Sequence, residues 1–255
     1  MHPILFRLDG LTVYAYGFFL AIGFIFGLGL AILKAQKEGI PFERIIELFF
    51  LTVLSAVLGS RLLFVLINFD LYRENPLDVF KLWKGGLVFY GGLVLAAAVA
   101  ILYLRFRKLS VWKVADFFAP SIALGLFFGR LGCFFAGCCY GKETSLPWGV
   151  TFTDGHSLAP LNVFLHPTQL YDAVNGLGIF MFLKWREGRK TFDGQIFWLF
   201  LLLYSGGRFV VEMFRGDPRG FVFSGLVSTS QGLGISLAIA SLFMLFYLKY
   251  RHRRQ

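Results

Sequence analysis

The sequence predicts an all-α integral membrane protein of about seven transmembrane helices, N-terminus outside and C-terminus cytoplasmic, and three observations carry that reading. Of 255 residues, 57% are hydrophobic and only 16% are charged. Apolar blocks of roughly 20 residues, the length that crosses a bilayer as a helix, recur along the chain. The alternating segments of roughly ten residues that mark a membrane β-barrel are absent, and lipid permits no other way to satisfy the backbone.

Spans are expected near 11–33, 45–67, 86–105, 114–135, 168–185, 194–214 and 230–249. The first is too long for a signal-peptide apolar region and lacks a small-residue cleavage site. Fifteen lysines and arginines fall in the stretches 34–44, 105–113, 184–190 and 249–254. The opposite side carries seven: Arg7, Arg73, Lys81, Lys84, Lys142, Arg215 and Arg219. The positive-inside rule sets the orientation from that bias. The net charge of +10 is thereby explained through topology and anionic lipid, and nucleic acid is not an expected partner. No linker or internal repeat divides residues 1–255, so one transmembrane domain with two insertions is expected. Residues 68–85 place Leu77, Phe80 and Trp83 among Asp78, Lys81 and Lys84, as a short amphipathic helix in the interface would. Residues 136–167, rich in glycine and proline, are expected to form a small irregular outer cap; long ordered loops are often functional.

The stretch Gly125–Gly141 stands at the centre of the chain. Arg130 lies well inside its apolar part, where a guanidinium costs from about 2.5 to above 10 kcal/mol unless it faces protein or a wet cavity. Gly125, Gly129 and Gly132 would let a neighbouring helix approach. Two more arginines, Arg61 and Arg208, fall within spans. Glu212 lies four residues after Arg208 and Arg215 continues that face. Three arginines against one embedded glutamate leave surplus positive charge, which calls for an anionic ligand, and arginine's planar fork of donors suits phosphate. The abundant phosphate at that depth is a phospholipid headgroup. Tyr16 adds a hydroxyl in the first span. Paired glycines flank Tyr90 and permit close backbone approach to a ligand or to another helix. Cys133, Cys138 and Cys139 are an odd set, so they cannot all pair as disulfides. Their spacing lacks a clear fourth metal ligand, although His156 and His166 lie downstream. Neither a metal nor a cofactor is expected.

These residues carry a resemblance along almost the whole chain. It runs through Tyr16-Gly17, Gly-Ser-Arg61, the stretch Asn75–Leu93, Ala115–Pro120, Gly129-Arg-Leu-Gly-Cys-Phe134, His166-Pro-Thr-Gln-Leu-Tyr171 and Arg208–Arg215. The sequence resembles the prolipoprotein diacylglyceryl transferase family, multi-pass enzymes of the bacterial inner membrane. The resemblance implies transfer of diacylglycerol from phosphatidylglycerol to the lipobox cysteine thiol of a prolipoprotein signal peptide, forming a thioether and releasing glycerol phosphate. It implies catalytic roles for Arg130 and Arg208 on the departing phosphate, for Glu212 in holding Arg208, and for Tyr90. Tyr16, Arg61, Arg215, Cys133, His166 and Gln169 are implied to bind substrate. The chain departs from the best-known pattern: Tyr90 stands for a histidine, Cys133 for an asparagine, and Ala136 and Cys138 for a second asparagine and a glutamate. The obvious imidazole base is gone, and a phenol of pKa near 10 is a base only where cations depress it. A transporter or binder of anionic lipid is the alternative, but it predicts internal pseudo-repeats. A membrane thiol oxidoreductase would more naturally carry a Cys-x-x-Cys pair.

Overall fold

The computed structural model describes residues 2–8, 11–73, 75–217, 221–222 and 227–254; Arg219 of the outer basic set lies outside them. Seven long helices follow the seven apolar blocks: α1 (Ala15–Lys37), α2 (Phe42–Ile67), α3 (Phe89–Phe106), α4 (Val111–Ala136), α5 (Thr168–Glu187), α6 (Gln195–Glu212) and α7 (Thr229–Arg253). Five of them, α1, α2, α3, α4 and α7, are long and apolar enough to cross a membrane. The other two, α5 and α6, are more polar, and they carry Asp172, Arg208 and Glu212. Large apolar side chains lie open on the outer faces of the apolar helices, among them Ile25, Phe50, Val94 and Phe246. That surface suits hydrocarbon and would be a liability in water.

The first span starts later than expected. Leu11–Tyr14 is a strand, β2, paired antiparallel with β1 (Ile4–Leu8), and the Ala15 N–H closes the hairpin on Pro3 O at 2.9 Å. Leu-Thr-Val-Tyr is apolar enough to look continuous with the helix, yet its β-branched and aromatic residues suit a strand when a partner is at hand.

The chain forms two compact units, one of residues 1–31 and 115–255 and the other of residues 32–114. In the second unit α2 and α3 pack as an antiparallel pair. They meet glycine on glycine: a Cβ built on Gly59 would collide with Gly91 O, and one on Gly91 with Gly59 O. The pair Gly91 and Gly92 after Tyr90 therefore serves helix contact, one of the two uses open from sequence. The connection from α2 to α3 is three short 3-10 turns, Phe69–Tyr72, Pro76–Phe80 and Leu82–Lys84. An amphipathic α-helix was the expectation; Pro76 and the left-handed Gly85 and Gly86 leave too short a run for one. Leu77, Phe80 and Trp83 are nonetheless the most exposed large apolar side chains of the arm, at 75%, 76% and 80%.

The first unit holds its core between α4, α5 and α6, where Ala119, Ala123, Ile179, Leu183, Ile196 and Phe200 are buried. Asp116 on α4 fixes the start of α6 in place of a local cap. Its two carboxylate oxygens accept from Gly194 N and Phe197 N, both at 2.9 Å, which satisfies donors a helix start leaves open. The cap between α4 and α5 is more regular than expected. It contains β3 (Val150–Thr151) paired antiparallel with β4 (Phe164–Leu165), and it buries Phe152, Ala159 and Leu165 against Phe134 at the end of α4. A further pair, β5 (Phe221–Val222) and β6 (Val227–Ser228), leads into α7. There Ser228 and Gln231 form a capping box.

Candidate active site

Three arginines of the first unit converge on one carboxylate. Asp172, one turn into α5 and 4% exposed, holds Arg130 Nη1 at 3.2 Å, Arg208 Nη1 at 3.5 Å and Arg215 Nη1 at 3.9 Å, all through Oδ2. The helices bring them together by simple periodicity. Arg208 and Glu212 are one turn apart on α6 and pair at 2.5 Å. Arg215 follows in the turn after α6, where its Nε and Nη2 donate to the two oxygens of Asp217 at 2.8 and 2.9 Å. Glu212 also accepts from Ser228 Oγ at 3.0 Å, which ties the start of α7 to the same cluster.

This corrects the expected charge balance, which counted Arg61, Arg130 and Arg208 against Glu212 alone. The cluster holds Arg215 and not Arg61, and its three arginines face Asp172, Glu212 and Asp217, so it is formally neutral rather than in surplus. Asp172 was missed because only Glu212 was counted among the embedded acids. The signal was in the sequence: Gln169 and Asp172 are three apart in α5, hence on one helix face. Neutrality does not satisfy every donor. Arg215 Nη1 is buried with no hydrogen-bond partner, and its side chain is 1% exposed. A buried donor left unpaired costs about 1–3 kcal/mol, more when charged, so this group is set to receive an acceptor.

The cap is drawn onto the cluster by backbone contacts. Gly141 N donates to His166 O at 3.1 Å, His166 N to Lys142 O at 2.9 Å, and Gly216 N to Tyr140 O at 3.1 Å. Thr168 Oγ1 donates to Cys139 O and Gln169 Nε2 to Cys138 O, both at 2.8 Å. Gln169, expected to bind substrate, thus spends its amide on the cysteine loop, while its Oε1 is buried without a partner. His166 Nδ1 lies 3.1 Å from the Tyr171 hydroxyl, and its ring packs on Phe214. The cysteine loop brings all three sulfurs within 4.8 Å of one another. Tyr16, in the first turn of α1, lines a pocket of about 560 Å³ together with Tyr14, Gly17, Ala136, Cys138 and His156.

Arg61 and Tyr90 belong to the second unit. All five donors of Arg61 are engaged by backbone carbonyls. Nε donates to Val79 O at 2.8 Å, Nη1 to Gly85 O and Gly86 O at 2.6 and 3.1 Å, and Nη2 to Asp78 O and Lys81 O at 2.6 and 3.4 Å. A guanidinium has five N–H groups, so this arginine is solvated by the arm it holds in shape. Tyr90 lies in the first turn of α3, half exposed, with its ring edge-on to Phe89.

Comparison with known proteins meets this geometry from outside. A family model described as prolipoprotein diacylglyceryl transferase matches residues 3–247. The chain is 36% identical over 251 residues to a phosphatidylglycerol–prolipoprotein diacylglyceryl transferase of Clostridium tetani, covering 98% of this chain and 99% of that one. It is 34% identical to a second enzyme of that name from Clostridium perfringens, covering 100% and 98%, and 35% identical to one from Vibrio cholerae, covering 96% and 90%. With the family matched from end to end, the chain belongs to the prolipoprotein diacylglyceryl transferases.

Proposed function

We propose that this protein transfers the diacylglyceryl group of phosphatidylglycerol to the lipobox cysteine thiol of prolipoprotein signal peptides, with a thioether and glycerol phosphate as products. It does so in the bacterial inner membrane, crossed seven times, with the N-terminus outside. The observation that supports this best is the convergence of Arg130, Arg208 and Arg215 on the single carboxylate of Asp172. In this reading Asp172 stands where an anion belongs and keeps three guanidinium groups in register between turnovers.

The chemistry follows from that arrangement. The acceptor sulfur attacks the glycerol carbon, the carbon–oxygen bond breaks, and its electron pair leaves on the phosphate. Negative charge grows on that phosphate in a site shielded from water, where fixed donors count for most. Arg130 and Arg208 meet the charge, and the idle Nη1 of Arg215 donates to a phosphate oxygen. Glu212 fixes the rotamer of Arg208. Tyr16 lines the pocket at the start of α1 together with Cys138, and Cys133 lies in the sulfur cluster beside it. His166 and Gln169 act through the cap they hold. Arg61 shapes the arm, whose Trp83 and Phe80 sit at headgroup level. Tyr90, in the second unit, occupies the histidine position of the family motif and carries a phenol there rather than an imidazole.

The test is direct. Purified protein, given phosphatidylglycerol labelled in its diacylglyceryl part and a lipobox peptide, is expected to yield labelled thioether and one glycerol phosphate per peptide modified. Phosphatidylglycerol bound without any transfer to the peptide would mark a lipid carrier instead.

A further inference from the structure

Resting on the proposed transfer, we infer that Cys133, Cys138 and Cys139 form a three-thiolate zinc site whose open fourth position receives the acceptor thiol. The three are free thiols with every sulfur within 4.8 Å of the others. Sulfurs around a tetrahedral zinc, with bonds of about 2.3 Å, stand roughly 3.8 Å apart, so at most an ångström of closure is needed.

The loop that carries them is built, not incidental. Cys133 lies in the last turn of α4, and Gly137, at φ +75°, turns the chain back. Cys139 then sits at φ +63°, a conformation that disfavours a side chain unless its surroundings hold it there. Thr168 and Gln169 clamp the carbonyls of Cys139 and Cys138 from the first turn of α5. Cys138 Sγ leans back on Cys133 O at 3.7 Å.

The fourth position is open on present geometry. Among the described residues no other histidine, cysteine or acid joins the cluster. His156 lines the adjacent pocket, but its ring nitrogens face Asp154 at 3.0 Å and Arg7 at 3.3 Å. Three protein ligands with one vacant position are the pattern of a catalytic zinc, whereas structural sites fill all four. Three thiolate charges against two on the ion leave one negative charge, facing Arg215 and Arg130. Cys138 opens onto the pocket that Tyr16 lines, so a peptide thiol can reach the ion.

The site supplies what the missing imidazole would have supplied. A free thiol of pKa about 8.5 is roughly 3% ionised at pH 7, and a thiol bound to zinc is deprotonated outright. On binding, the S–H proton passes to water. The sulfur lone pair then forms the bond to the glycerol carbon as the carbon–oxygen pair departs on phosphate. The thioether product is no longer a thiolate and leaves the ion.

The experiment measures metal, binding and transfer on the full chain in detergent. Zinc content is expected at one ion per chain in wild type and near none in the triple Cys→Ser variant. Cys139→Asn, which keeps a residue tolerant of positive φ, is expected to lose zinc without loss of fold. Cobalt in place of zinc is expected to give a thiolate-to-cobalt absorption that changes when a lipobox peptide is added. Chelation is expected to lower transfer about 10- to 30-fold at pH 7, with recovery on adding back one zinc, and the loss is expected to all but disappear at pH 9.5, where about 90% of the free thiol is ionised. Absence of bound zinc, a peptide that leaves the cobalt band unmoved, or transfer indifferent to chelation overturns the inference. Failure of transfer in zinc-loaded and zinc-free protein alike overturns the transferase reading instead, and the cobalt band still decides the metal site.

Discussion

Arg130→Ala is expected to lower transfer from phosphatidylglycerol by about a thousandfold or more while the protein still inserts and folds. Loss of one fixed donor to a developing oxyanion costs about 10²–10³ in rate, and Arg130 offers two arms of a planar fork. Folding survives because Asp172 keeps Arg208 at 3.5 Å and Arg215 at 3.9 Å when Arg130 is gone. Arg208→Ala is expected to fall as far, and it also frees Glu212, so its thermal stability drops where that of Arg130→Ala does not. Arg130→Lys separates charge from geometry. A lysine keeps the point charge but not the bidentate fork, and only partial recovery is expected. Initial rates with labelled lipid, normalised to folded protein, make the comparison; near wild-type rates in both alanine variants would remove the phosphate clamp.

The second large effect concerns Asp172, and here stability moves first. Removing one partner of a buried ion pair costs about 3–5 kcal/mol, because the remaining charge is left uncompensated. Asp172 serves three guanidinium groups, so Asp172→Ala belongs at the upper end, with a melting temperature lower by about 10 °C. Asp172→Asn preserves shape and removes only charge. It is expected to be destabilised too, and to gain more stability than wild type when phosphatidylglycerol is added, because the lipid phosphate then neutralises the arginines. Thermal unfolding with and without phosphatidylglycerol reads this out. Equal gains in wild type and Asp172→Asn would mean that carboxylate and phosphate do not share a place.

Much of the fold was legible because span length and apolar composition are set by the bilayer itself. Every expected span corresponds to a helix, with ends displaced by a few residues. What failed was local. The strand at Leu11–Tyr14 is invisible against the apolar helix it precedes, since pairing with residues 4–8 decides it. The arm's 3-10 turns depend on backbone angles at Gly85 and Gly86 that composition does not reveal. Arg61 shows the same limit at the level of a side chain. An embedded arginine was expected to seek phosphate, yet five carbonyls of a folded turn answer all its donors. The site was partly legible for a different reason. Arg130, Arg208, Glu212 and Arg215 are the expensive residues of apolar segments, and expense points to use. Asp172 is equally expensive, but no basic residue lies within a turn of it on its own helix to mark it as half of a pair. The meeting of the three sulfurs depends on a chain reversal at Gly137, and no spacing rule anticipates it.

The central claim is that Arg130, Arg208 and Arg215 form the seat of a lipid phosphate. An experimental structure with phosphatidylglycerol bound tests it most directly. The expected result is a phosphate oxygen within hydrogen-bond distance of at least two of these guanidinium groups, Arg215 Nη1 among them, with Asp172 displaced from one or more of its partners. A phosphate seated elsewhere, with the three arginines still gathered on Asp172, would contradict it.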